Sequence, residues 1–193
     1  MGNKPTKRTA LAAVHNGSDQ PMFAVSLVHK YSDNYTDKKE WAVIKPGETT
    51  AEALTVEFNI GFGTTGRDWW LITWYNADMT TQYFSAPNNF RGIIDGLEGI
   101  APSVVAVAAA AAATGVDASA AFTTKAGTAA LVALANKTTE KLTNDASTSG
   151  FKQHILRSED EGRVITITIG NEVSFNSKSG VSKTGFKSKR VPT

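Results

Sequence analysis

The chain has 193 residues, a formal net charge of +2 and no cysteine. That length suits one domain with a core of its own, and the missing cysteine excludes disulfides, thiolate metal sites and cysteine nucleophiles. Basic residues gather at the two ends (Lys4, Lys7 and Arg8; Lys178, Lys183, Lys187, Lys189 and Arg190), so between residues 9 and 176 acids outnumber bases; nucleic-acid binders put positive charge on the folded surface, and that class is set aside.

Residues 1–8 form a polar, basic arm without the apolar centre of a signal peptide. The expected location is therefore the cytoplasm, or the exterior by a route without a classical signal. Arg8 to His15 alternates as a strand, and Asn16-Gly17 follows as a hairpin signal. Met22 to His29 is the second strand, with Phe23, Val25 and Leu27 on one face. Tyr31 to Lys39 reads as a polar loop. Glu40 to Ile44 is a strand, and Pro46-Gly47 makes a turn with Gly47 at positive φ. Leu54 to Ile60 is the fourth strand.

The fifth strand organises the chain. Asp68 to Tyr75 places Trp70, Ile72 and Trp74 on one face, and Trp69, Leu71 and Tyr75 on the other. Two apolar faces are foreign to an antiparallel sheet with one wet side. Either another layer covers the second face, or that face binds something. Thr80 to Phe84 is the sixth strand.

From Pro87 the period changes. Phe90, Ile93, Ile94 and Leu97 recur at helical spacing. The stretch from Gly99 to Val116 is alanine-rich and uncharged; Pro102 suits a first helical turn and Gly115 an end. Asp117 or Ser119 caps a further helix running to about Leu142. Its apolar stripe combines Phe122, Ala126, Ala129 and Ala133 with Leu131, Leu134, Thr138 and Leu142. Strands return as Phe151–Arg157, Arg163–Ile169 and Val173–Phe175, and the Ser/Gly/Lys composition after residue 176 is that of a disordered tail.

The expected fold is α+β: an antiparallel β-sandwich of about eight or nine strands with an Ala-rich helical insert between late strands. Residues 1–8 are the arm, 9–86 the first part of the sandwich, 87–149 the insert, 150–176 the closing strands and 177–193 the tail. Alanine on the inner helix faces allows a close roof over Trp69, Leu71 and Tyr75.

Three segments, Val14 to Asp33, Trp41 to Thr49 and Asn59 to Trp70, together with Lys152 to Gly162, resemble the Uld family in order and spacing. These are small β proteins named for up-regulation in long-lived nematode mutants, with many fungal members. The resemblance implies a β-sandwich and brings no catalytic residues. In outline the chain is also similar to aegerolysins and other membrane-binding fungal sandwiches.

Little in the sequence carries catalysis. His15, His29 and His154 are scattered and read as strand-end surface residues, and no serine sits in a G-x-S-x-G elbow. The G-x-G-x-x-G spacing in Gly61 to Gly66 precedes a strand instead of a helix, which fails the phosphate-loop context. Asp33 and Asp37 lack the glycine bend and further oxygens of a calcium loop. No metal, cofactor or nucleic acid is expected. Aromatic residues in excess of a core point to a surface for membrane lipid or glycan, with Tyr31, Tyr35, Phe62, Arg67, Trp69 and Tyr75 as binding candidates. The expectation is a non-enzymatic recognition protein of lectin-like, defensive or cytotoxic kind. The alternatives are a pore former that inserts its helical hairpin, and an enzyme with an unrecognised site.

Overall fold

The computed structural model describes residues 6–31, 35–61, 66–86, 95, 97–143 and 148–191. Two sheets face each other. The first, in the order β10-β9-β8-β1-β4, uses β1 (Thr6–Asn16), β4 (Leu54–Ile60), β8 (Val164–Ile169), β9 (Val173–Ser177) and β10 (Gly180–Thr184). The second runs β11-β6-β5-β2-β3, from β2 (Met22–Tyr31), β3 (Tyr35–Ile44), β5 (Asp68–Tyr75), β6 (Thr81–Ser85) and β11 (Phe186–Arg190); the two-residue β7 (Lys152–Gln153) pairs with β5. Between the sheets lies an apolar layer that includes Val14, Leu27, Val56, Phe58, Trp70, Ile72, Ile167 and Phe175.

Among the described residues, three helices with full bounds follow β6 in the chain: α1 (Ala101–Ala112), α2 (Ala118–Thr123) and α3 (Lys125–Thr143). They pack on the outer face of the second sheet. Phe23, Tyr75 and Met79 meet Val104, Ala111, Phe122, Leu131 and Leu134. Val28, Leu71 and Phe84 meet Leu97, Ile100, Leu142 and Phe151. The two faces of β5 are thus both buried, and Leu71 and Tyr75 are fully enclosed while Trp69 is half-buried at the margin. A polar contact fixes α3 over β2 and β3. The Thr139 hydroxyl donates to Glu40 Oε1 at 2.6 Å and lies 2.9 Å from Ser26 Oγ.

Several expectations are corrected. The sandwich is not purely antiparallel, because β1 runs parallel to β8. Asn16-Gly17 opens no hairpin: β1 and β2 belong to different sheets, and the chain crosses between them. Asn16 holds that crossing, since its buried amide donates to the carbonyls of Gln20 (2.8 Å) and Ile44 (3.0 Å). Phe23 does not share a face with Val25 and Leu27. A bulge between Phe23 and Ser26, with Ala24 at φ 45°, turns Phe23 toward the helices. Tyr35 to Lys39 is strand, since β3 pairs with β2 along its length. Of the expected strand Phe151–Arg157, only Lys152 and Gln153 (β7) are strand.

The tail is ordered as β10 and β11. Both are edge strands, and edge strands carry lysine to discourage further pairing; a Ser/Lys composition therefore does not separate them from coil. The long third helix is two helices. Asp117 caps α2 by accepting the Ala120 N–H, and Thr124, extended at ψ 156°, accepts the Gly127 N–H at 3.0 Å to start α3. Along α3 the buried stripe is Leu131, Leu134, Ala135, Thr138, Thr139 and Leu142, while Ala126, Ala129 and Ala133 face outward. The alanine run is not buried all round either: α1 buries Val104 and Ala111 and leaves Val105 exposed. Twelve residues of α1 rise ~18 Å, short of a hydrocarbon layer of ~30 Å, and no helix among the described residues is long and apolar enough to cross a membrane. The expected helix start near Pro87 lies outside the described residues.

Gly127 is where α2 and α3 touch. A Cβ there would sit 2.3 Å from the Ala121 carbonyl oxygen and 2.8 Å from Phe122 Cα, both backbone atoms. Alanine gains up to ~1 kcal/mol over glycine inside a helix, but overpacking costs about 1–3 kcal/mol. Gly127→Ala should therefore lower the unfolding free energy by about 1–2 kcal/mol in urea titration; a stabilised variant would show that the helices are not in contact there.

Candidate functional site

The six binding candidates from the sequence do not form one surface. Tyr31 and Tyr35 stack, with ring centroids 5.3 Å apart, at the end of the sandwich where β2 meets β3. Tyr35 is 61% exposed and Tyr31 is buried. Trp69 and Tyr75 lie on the helical side of β5, and Tyr75 is enclosed beneath α3. Arg67 is exposed on the loop before β5, and Phe62 lies outside the described residues.

Behind the Tyr pair stands a charged clasp. His29, fully buried on central β2, presents Nδ1 to Asp37 Oδ2 at 3.1 Å and Nε2 to Asp68 Oδ1 at 3.0 Å. Burial pulls the imidazole pKa down, but the two carboxylates outweigh it and the net shift is upward from 6.5. Asp37 Oδ2 also accepts the Glu57 N–H, Tyr31 Oη donates to the Glu57 carboxylate, and Asp68 Oδ2 accepts the Leu156 N–H. The network joins the two sheets, because Glu57 belongs to β4. Hydrogen bonds from Lys7 and Tyr31 hold the Glu57 carboxyl below its ordinary value. Asp37 is engaged in this clasp, so it is not the calcium-loop residue weighed above.

His154 is buried too, which corrects the surface reading for both residues. Its Nδ1 lies 2.9 Å from Ser182 Oγ and its Nε2 3.1 Å from Ser177 Oγ. Burial lowers its pKa, partly opposed by Asp160 and Asp68. Neither ring nitrogen meets a carboxylate in a hydrogen bond, so the serine–histidine contacts lack the acid that orients a catalytic base. Asp160 instead accepts Ser179 N–H (2.9 Å) and Arg157 N–H (2.8 Å), closing the β9–β10 turn.

The concave site is at the opposite end of the sandwich from Tyr35. A cavity of about 220 Å³ opens between the β1–β2 crossing, the β5–β6 turn, the end of β8, and β11. Trp74 and Tyr83 lie parallel (centroids 5.4 Å, 9°), and Phe186 sets its ring at steep angles to both at 5.4 and 6.0 Å. Ser18, Gln20 and Asn76 line the same space, and among the described residues no acidic or basic side chain does. Ser18 and Asn76 are committed locally: the Ser18 hydroxyl bonds to Asn16 Oδ1 (2.7 Å), and Asn76 Oδ1 accepts the Thr81 N–H (2.9 Å). Gln20 is exposed at the rim. Sequence reasoning counted Trp74 as core and assigned Phe186 to the tail; their meeting depends on β11 returning beside β6.

The two buried histidines should act on stability in opposite directions around pH 6.5. His29, raised in the fold, contributes stability that is complete below 6.5 and is lost as pH rises through its folded value. His154, depressed, contributes stability above 6.5 that is lost as pH falls toward its folded value. His29→Asn should flatten the alkaline side of the stability–pH curve and cost about 3–5 kcal/mol by breaking a buried ion network. His154→Asn should flatten the acid side. Unchanged curves in both variants would refute the assignment.

No curated protein matches the chain. One family model, described as "Up-Regulated in long-lived daf-2", matches residues 6–186. That span takes in every strand of both sheets except β11, of which it reaches only the first residue, so the chain belongs to the family that its strand segments resemble, the proteins up-regulated in long-lived daf-2.

Proposed function

We propose that this chain is a non-enzymatic recognition protein that takes a glycan in the aromatic cleft of Trp74, Tyr83 and Phe186. The observation that carries this reading is the lining itself: three aromatic rings and neutral polar groups with no ionic side chain. Aromatic rings suit the apolar C–H faces of a sugar, and a neutral lining leaves no partner for a charged ligand. The size agrees, since about 220 Å³ falls below the ~300–1,000 Å³ of sites for drug-sized molecules and accommodates one sugar ring at the end of a chain. The two buried histidines support a non-enzymatic role, because each spends both ring nitrogens on structural partners. In this reading the segment 87–149 is an insertion into the sandwich whose work is to cover the second sheet.

Tyr83 and Phe186 are half-buried, so removing either ring leaves most of the core in place. On an array of neutral and acidic glycans, the wild-type chain should bind neutral sugars. Tyr83→Ala and Phe186→Ala should each weaken that binding at least tenfold, about 1.4 kcal/mol, with unchanged circular dichroism. Tyr35→Ala, at the far end, should bind as wild type. Binding to lipid vesicles in place of glycans, or full binding by both cleft variants, would overturn the proposal.

A further inference from the structure

The five-residue turn Asn76–Thr80 between β5 and β6 has two sides. Asn76 and Ala77 line the aromatic cleft. Asp78, Met79 and Thr80 line a separate groove of about 360 Å³ against Val105, Ala108 and Ala112 of α1. Met79 is the pivot. It is 2% exposed, packed in one cluster with Val104 and Ala111 of α1, and held at φ 59°. An unbranched L residue in the left-handed region persists where its surroundings impose it, and Met79 is held both by the turn, through its N–H to the Asn76 carbonyl, and by packing against the helix.

The turn moves as a unit if it moves at all. Asp78 Oδ1 accepts both the Thr80 N–H (3.0 Å) and the Thr80 hydroxyl (2.6 Å), the Met79 N–H donates to the Asn76 carbonyl (3.1 Å), and Asn76 Oδ1 accepts the Thr81 N–H. Besides the bonds of Asn76 to Thr81 on β6, a bond from Val191 N–H to the Thr80 carbonyl at 2.8 Å ties it to the end of β11, the strand that carries Phe186. The helix that presses on Met79 is itself lightly seated. α1 buries two side chains, while α3 is pinned by Thr139 to Ser26 and Glu40.

We infer that the Asn76–Thr80 turn couples α1 to the aromatic cleft, so that the seating of α1 on Met79 sets the shape of the site; the inference rests on the cleft being the binding site. A shift of α1 frees Met79 to leave its strained conformation. Asn76 and Ala77 then move with it on the cleft side, and the bond to Val191 carries the change toward Phe186. Two opposed faces of one hydrogen-bonded turn give a contiguous physical path between the helix and the cleft.

The chain has three methionines, and two of them report on the two ends of this relay: Met79 under α1 and Met22 in the cleft wall. Methyl-selective NMR of the full chain, with the Trp74 indole N–H as a third probe, reads the coupling without ligand. Val104→Ala loosens α1 outside the cleft lining. It should shift the Met79 methyl and, together with it, the Met22 methyl and the Trp74 indole. Ala110→Ser, on the exposed face of α1 and outside the groove lining, should shift neither end, and in a Met79→Ala background Val104→Ala should no longer reach Met22. If Val104→Ala fails to fold, Ala108→Ser at the groove carries the same readout. A shift confined to Met79, or one at Met22 that survives Met79→Ala, overturns the coupling. Because no ligand enters this measurement, a chain that relays the shift but binds no glycan would defeat the glycan reading alone; one that binds glycan with equal affinity before and after Val104→Ala would defeat the coupling alone.

Discussion

The structure depends on burying both faces of two neighbouring strands. β2 is buried at every position and β5 at all but Trp69. Burying a large apolar side chain contributes on the order of 1.5–3 kcal/mol, so Leu71, Tyr75, Phe23 and Val28 together contribute an amount comparable to a domain's whole net stability. The face they form must be covered. The helices supply the cover, and most other features follow from seating them: the bulge at Ala24 that turns Phe23 outward, the glycine that lets α2 and α3 meet, and the Thr139 contact that fixes α3 in place.

Much of this arrangement was legible in the sequence because the signal was periodic. The alternation of Trp70, Ile72 and Trp74 with Leu71 and Tyr75 named two apolar faces, and the switch to helical spacing after β6 indicated what covers the second. What the sequence concealed was set by partners distant along the chain. Asn16-Gly17 has the composition of a hairpin, yet the buried Asn16 amide serves the carbonyls of Gln20 and Ile44, and the chain changes sheets. Edge strands β10 and β11 alternate weakly because one side of each faces water, so lysine and serine outnumber their few inward residues.

The same reasoning explains why the binding candidates read from the sequence do not share one surface. Trp69 and Tyr75 stand out in a strand, but one lies at the margin of the helical cover and the other beneath it. The cleft combines a residue from a core strand, one from β6 and one from β11, with the crossing after β1 as its rim. No local window contains that set. Only Trp74 and Tyr83 are directly paired across strands, and even they look like ordinary core alternation until Phe186 arrives. His29 and His154 were obscured in the same way, because their carboxylate and serine partners come from other strands and from the β9–β10 hairpin.

The two ends of the sandwich consequently have different physical characters. At the Tyr35 end, Asp37, His29, Asp68 and Glu57 satisfy one another across both sheets, and little polar capacity is left for a ligand. At the cleft end the sheets part around neutral rings, leaving a space too apolar to be a reservoir of ordered water and too uncharged to attract an ion. Charge pairing is concentrated at one end and open space at the other. A scaffold that clamps one end with charge can leave the other open without losing its register, because β1, β2, β4 and β5 run the full distance between them.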